Sequence, residues 1–198
     1  MRMRAIKLIA VGTLAAAAVL GATAQAGRAA LTCPGQTYVQ PFTRWLDYAN
    51  YVAVPNGSFE STSGWALSGG AAVVPGNEPF YVNSSSDSRS LSLPFGASAT
   101  SPPLCVTLLH PDLRFFARNT GAPLPMLKVD VITTVLGIRV TTPMALLPAG
   151  QSWQPTLPLP FLTNLVPITD NVQFRFTAIG SRGSWQIDDA YVDPFKER

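Results

Sequence analysis

Histidine occurs once in the 198 residues, at His110, and cysteine twice, at Cys33 and Cys105. A single histidine rules out a zinc site built on several imidazoles. His110 also lacks the company that nucleophilic catalysis needs: no G-x-S-x-G elbow occurs, and His110-Pro111-Asp112 reads as a turn. Repeats at solenoid or propeller periods are missing, and so is any long 3.6-residue periodicity beyond the first 26 residues. Charge is scarce too, at 13% of residues. The excess of three positive charges sits entirely in the first 26 residues, as Arg2, Arg4 and Lys7. Past that point eleven basic residues face eleven acidic ones, and the arginines are scattered. Nucleic acid and anionic membrane therefore lose their compositional support.

The opening segment has three parts. A basic start is followed by an apolar run from Ile6 to about Leu20 and then by Ala24-Gln25-Ala26, with small residues where a signal peptidase reads. The run is shorter than the roughly 20 residues that cross a bilayer. The expectation is a cleaved secretory signal over 1–26, a secreted protein, and no membrane span after cleavage. In an oxidising compartment the isolated cysteine pair is expected to form one disulfide, Cys33–Cys105, worth about 4 kcal/mol of loop entropy for that separation.

Short β-rich runs separated by Gly, Pro, Asn and Ser fill the rest, which is the pattern of an all-β sandwich or barrel. Val172, Phe174, Phe176 and Ala178 alternate with Gln173, Arg175 and Thr177, predicting a strand with one buried face. Leu127, Val129 and Val131 alternate in the same way, and Gly137 suggests a hairpin into Ile138-Arg139-Val140. Gly69-Gly70 suggests another hairpin, between 64–67 and 71–74. The prolines at 155, 158, 160 and 167 predict an extended edge segment. In the last strand Trp185 and Ile187 share a face, while Ala190 and Val192 fall on the other. One extra residue near Asp188-Asp189, a β-bulge, brings all four inside; the alternative is a regular strand with Tyr191 as the inward residue. The arm over 27–50, with Phe42 to Tyr48, reads as a short helix or an edge segment.

Two segments carry a resemblance. Asn56-Gly57-Ser58-Phe59-Glu60 with Gly64-Trp65 near the start, and Trp185 to Val192 at the end, resemble the galactose-binding-like jelly rolls. They are similar in particular to secreted carbohydrate-binding modules of the family 4, 9 and 22 kind. The wider sequence looks like secreted actinobacterial proteins. The resemblance spans about 51–195 and implies an all-β jelly-roll sandwich of two antiparallel sheets. The chain divides accordingly into a signal (1–26), an arm (27–50), a jelly-roll domain (51–195) and a tail (196–198).

By that resemblance the protein is a non-catalytic binding module with a polysaccharide or other glycan as partner. A structural calcium is implied where the first and last strands meet, at Glu60 and Asp188 with a carbonyl near Asn56 or Gly57. Sugar modules stack rings on pyranose faces, and Trp65 and Trp185 match positions that pack inside. Tyr81 and Trp153 are then the candidate ligand-binding aromatics, burial being the competing reading for each. The alternative function is a structural extracellular or cell-surface protein that binds other proteins through the arm. A small secreted hydrolase stays the minor possibility. Glu60, Glu78, Asp87, Asp112, Asp188 and Asp189 offer carboxylates, but no spacing singles out an acid and a nucleophile. Asn56-Gly57-Ser58 and Asn83-Ser84-Ser85 are sequons, relevant only in a glycosylating pathway.

Overall fold

The computed structural model describes residues 33, 35–107, 112–121, 125–135, 137–148, 150–161, 169–180 and 184–193. The segment expected to be a signal (1–26), the tail (196–198) and His110 lie outside them. Among the described residues fourteen strands run in chain order: β1 (Tyr38–Val39), β2 (Tyr51–Ala53), β3 (Ala66–Ser68), β4 (Ala72–Pro75), β5 (Arg89–Leu93), β6 (Ser98–Thr100), β7 (Leu104–Thr107), β8 (Asp112–Asn119), β9 (Pro125–Val135), β10 (Ile138–Pro148), β11 (Gln154–Pro155), β12 (Leu159–Pro160), β13 (Thr169–Gly180) and β14 (Trp185–Asp193). The one described helical turn is 3-10, at Thr43–Trp45. No helix among the described residues is long and apolar enough to cross a membrane.

The strands form two antiparallel sheets packed face to face. The first runs β1-β2-β14-β5-β4, with β8 on the other edge of β14 and the short β11 and β12 beyond β8. The second runs β10-β9-β13-β6-β3, with β7 also paired to β13. Alternation explains the core. Val172, Phe174, Phe176 and Ala178 of β13 are fully buried, as are Leu127 and Val129 of β9 and Leu91 and Leu93 of β5. Their rings interlock: Phe115 meets Phe176 edge-on at 4.9 Å, and Trp65 lies 4.8 Å from Phe59. Cys33 and Cys105 are joined as a disulfide, which ties the arm to β7.

The bulge in β14 is present. Asp188 pairs with Phe116 and Tyr191 with Arg114, so three steps on β14 match two on β8. Asp189 takes φ 45° to absorb the extra residue. Trp185, Ile187, Ala190 and Val192 consequently all enter the main core, and Tyr191 points outward. The bulge also marks where β14 changes neighbour. Up to Ile187 it pairs with β5, and from Tyr191 with β2. The tight turn after β2 fills the gap. Val54 N–H donates to Ala190 O, and Ala190 N–H donates to Gly57 O. A Cβ on Gly57 would stand 2.9 Å from the carbonyl oxygens of both Ala190 and Val54, so only glycine allows this approach.

One expectation is corrected. Gly69-Gly70 does not close a hairpin, because β3 pairs with β6 in the second sheet and β4 with β5 in the first. The two glycines, at φ 66° and 87°, carry the chain from one sheet to the other. The Gly137 hairpin does form, with Ile138 opposite Val135. The arm contains both of the alternatives read for it, the 3-10 turn and the edge strand β1.

Candidate functional site

The outward side of the first sheet carries a second, separate aromatic cluster. Phe42, Tyr51, Phe116, Trp153 and Tyr191 are buried there, with Trp45, Phe80 and Val82 packed against them. These rings leave solvent because two irregular segments fold over the sheet, the arm at 41–49 and the loop at 76–88. Phe42 stacks on Phe116 at 5.7 Å, Trp45 meets Phe116 at 5.3 Å, and Phe80 meets Trp45 edge-on at 4.9 Å. An ion pair fastens the arm. Arg114, buried in β8, donates to Asp47 and lies 4.0 Å from the Phe42 ring centre. Tyr51 donates its hydroxyl to the same carboxylate at 2.7 Å. Burial alone would raise the Asp47 pKa. The hydrogen bonds from Tyr51 and the Ala49 N–H, with the Arg114 charge, outweigh it and hold Asp47 below its ordinary value.

The cover stops short of one row. Ser92 pairs across to Gln186, and Gln186 to Arg118, so three polar side chains stand abreast on β5, β14 and β8. All three are half-buried. Arg118 Nε donates to Gln186 Oε1 at 2.6 Å, and its guanidinium lies 5.0 Å from the Trp153 ring centre. The row is thus a polar strip with an aromatic wall at one end. That combination can recognise sugar hydroxyls beside an apolar ring face.

The two candidate aromatics separate. Tyr81 is 50% exposed, at the tip of the 76–88 loop between Phe80 and Val82, which are both anchored in the cluster. Trp153 is not the surface ring chosen from its polar neighbours: at 7% exposure it is packed in the cluster, where Arg118 covers its face. Gln151 and Gln154 beside it are exposed, which is why the local sequence suggested a surface. Trp65 and Trp185 are core residues.

The two candidate calcium ligands are not brought onto a common partner. Exposed Glu60 accepts the N–H groups of Ser88 and Arg89 at 2.7 and 2.8 Å. Asp188, with no exposure, accepts the N–H groups of Glu78 and Asp189, each at 3.0 Å. The structure instead gathers a set of carboxyl groups that sequence reasoning did not assemble. Glu78, Asp87, Asp188 and Asp189 are all buried around the bulge. Glu78 is held by the N–H groups of Phe80 and Val82, and Asp87 by Asn83 Nδ2 at 2.7 Å. Neither oxygen of Asp189 meets a well-placed donor, although Glu78 and the Asn83 backbone are close enough to influence its charge. Burial first, and then the neighbouring carboxylates, push both Asp188 and Asp189 well above the ordinary carboxylate range. Asp189 borders a cleft of about 210 Å3 lined also by Asn56, Gly57, Ser58 and Asn83.

A hard cation fits this chemistry. It would neutralise buried charge and give Asp189 the partner it lacks. No three His, Cys, Asp or Glu side chains among the described residues form a ready coordination set, so backbone carbonyls or water would complete it. The only signal for this cluster in the sequence was Asp188-Asp189 beside the bulge. Glu78 and Asp87 come from a loop about a hundred residues away.

A second cavity, of about 480 Å3, opens where the ends of the sheets meet the 150–159 segment. Its walls are mainly apolar, with Leu147, Pro148, Pro155, Leu157, Pro158 and Leu159, and Ser152, Gln154 and Thr156 stand among them.

No protein-family model matches this sequence, and no curated protein does. Solved structures are similar in fold. The CBM22-1 xylan-binding domain of Xyn10C from Paenibacillus barcinonensis superposes with a TM-score of 0.51 at 15% identity, over 72% of this chain and 94% of that one. The fold is a jelly-roll β-sandwich, as in that domain. The CBM22-1–GH10 modules of Clostridium thermocellum endo-1,4-beta-D-xylanase 10B, complexed with xylohexaose, give 0.50 at 13% identity over 66% of this chain and 26% of that one.

Proposed function

We propose that the protein is a secreted, non-catalytic module that binds a polysaccharide along the outer face of its first sheet. The observation that carries this reading is the Ser92–Gln186–Arg118 row ending at Trp153, with Tyr81 exposed on the loop that borders the covered area. The second sheet offers no equivalent. Its strands contain two aromatic residues, Phe174 and Phe176, and both are buried in the core. The fold supports the reading, since it is shared with a module described as xylan-binding.

Calcium belongs to the same proposal as a structural ion at the β14 bulge. Asp189 supplies a carboxyl group with no well-placed donor among the described residues, with Glu78, Asp87 and Asp188 around it. Glu60 and Asp188 alone are a weaker pair, because N–H donors already occupy both. Thermal unfolding with calcium and with chelator tests this part. A rise in Tm with calcium that disappears in Asp189→Asn supports it, and an identical Tm in both conditions sinks it.

The glycan reading is tested by affinity electrophoresis on a panel of soluble polysaccharides. Retention that falls in Tyr81→Ala and Gln186→Ala, with unchanged unfolding temperature, is the expected result. No retention on any glycan, with or without calcium, removes it. One observation favours the second reading, a protein-binding surface protein: Leu46 and Tyr48 of the arm are 79% and 65% exposed. Failure of all glycans, with a partner lost on Leu46→Asp, would establish that reading instead.

A further inference from the structure

Arg118 leaves four of its five N–H donors without an acceptor among the described residues. Its Nε is taken by Gln186 and one face of its guanidinium by the Trp153 ring. Its two Nη groups have no acceptor and no carboxylate partner among the described residues. Both contacts fix the plane of the group, so the remaining fork is pre-oriented. A planar fork of two N–H groups matches a carboxylate, with two parallel bonds.

A second guanidinium stands over the same outer surface. Arg44, exposed in the 3-10 turn, lies 5.4 Å from the Phe80 ring centre, and it too has no acidic partner among the described residues. Phe80 packs on Phe116, and Phe116 is two residues before Arg118 on the same side of β8. Two unpaired cations therefore flank one aromatic surface. Contrast Arg114 and Arg175, each of which is spent on an aspartate. Asp188, two residues along β14 from Gln186, is fully buried and accepts from the Glu78 N–H.

We infer that the glycan is acidic, a polysaccharide bearing uronate carboxylates, with Arg118 as the residue that receives the carboxylate and Arg44 as a second, outer charge. The inference rests on the carbohydrate reading above and names its substrate class. Ser92 and Gln186 would read hydroxyls beside the carboxylate. Arg118 stays a binding residue with no part in bond breaking.

A matched pair of ligands tests it: polygalacturonate and the same polymer after chemical reduction of its carboxyl groups to alcohols. Binding of the full protein is measured by affinity electrophoresis and by titration calorimetry, with dextran sulfate as a polymer of a different anion. Charge-assisted bidentate recognition predicts about ten- to a hundredfold weaker binding to the reduced polymer. Arg118→Gln is expected to abolish the preference for the acidic polymer, so that the variant binds both forms about equally. Arg118→Lys, which keeps the charge but not the fork, should restore part of it. Equal binding of acidic and reduced polymers, or an acidic preference unchanged in Arg118→Gln, overturns the inference and leaves the carbohydrate reading standing. Binding to dextran sulfate as tight as to polygalacturonate would replace carboxylate recognition with charge alone and overturn it too. Failure to bind either polymer or any neutral glycan removes both readings.

Discussion

The two sheets share a core but present opposite outer faces. On the second sheet the outward rows across β3, β6, β13 and β9 are mostly hydroxyls and ion pairs, with exposed Leu146 of β10 beyond Lys128. Ser68, Ser98, Thr177 and Lys128 lie abreast, and beside them Ala66, Thr100, Arg175 and Asp130. Asp130 is buried and paired with Arg175 at 2.9 Å and Lys128 at 3.0 Å. Such a face is content in water. On the first sheet Phe116, Tyr51 and Tyr191 point outward, and a bare row of rings would not be. The arm and the 76–88 loop cover it. A face that must be covered also has an edge where the cover ends, and at that edge rings, an arginine and half-buried amides meet. The candidate site exists because the cover is incomplete.

The largest expected break in this contrast is Phe116→Ala. The ring is fully buried and touches Phe42, Trp45 and Phe80, so its loss leaves a cavity under both covering segments. A cost of about 3–5 kcal/mol is expected, read by denaturant unfolding. The arm should also become sensitive to protease. If the change costs no more than a surface substitution, the outer cluster is decoration and the cover has another cause.

Next in size is the effect on binding. Tyr81→Ala should weaken glycan binding about tenfold, or roughly 1.4 kcal/mol, with little change in stability, because half of the ring is in solvent. Arg175→Ala on the opposite sheet should leave binding untouched. Equal losses from the two changes would mean that the ligand does not choose the first sheet.

A smaller lever is acid. The folded-state pKa of Asp47 lies below its unfolded value, so its contribution to stability is present above the unfolded pKa and is lost as pH falls through the folded one. The arm should therefore loosen below about pH 4, the ordinary carboxylate range. Trp45 fluorescence in wild type against Asp47→Asn, the latter flat over that window, reads this directly. A wild-type profile equally flat would remove Asp47 from the account.

Legibility in the sequence followed the same divide. The inward alternation of β13 and β9, and the bulge at Asp188-Asp189, could be read because a strand buried on one side repeats every two residues. The words that carried the resemblance turn out to build the fold. Gly57 packs against the Ala190 carbonyl, Phe59 against Trp65, and Asn56 donates to Ser63 O at 2.7 Å. The outer face was not legible, because its partners come from irregular segments. Phe42, Phe80 and Trp153 follow no period, and the contact of Glu78 with Asp188 spans 110 residues. Gly69-Gly70 misled for a related reason: a turn signal says that the chain reverses, and gives no hint that it changes sheet.

The smallest effect sharpens the contrast from the other side. Asp130→Asn removes the charge that Arg175 and Lys128 share, yet both cations are about a third exposed, at 35% and 34%, and can turn to water. Stability should fall by no more than about 1 kcal/mol, less at high salt, as for half-solvated pairs generally. The shape of the second sheet should not respond, because its strands are held by the ladder and by the core beneath. The asymmetry with Phe116 is the point of the measurement. An ionic face loses a little when one charge goes, because solvent replaces it. An aromatic face loses much more, because water cannot fill the place of a ring. A loss from Asp130→Asn as large as that from Phe116→Ala would show that the ionic rows are structural, and the second sheet would then deserve the same search for a ligand as the first.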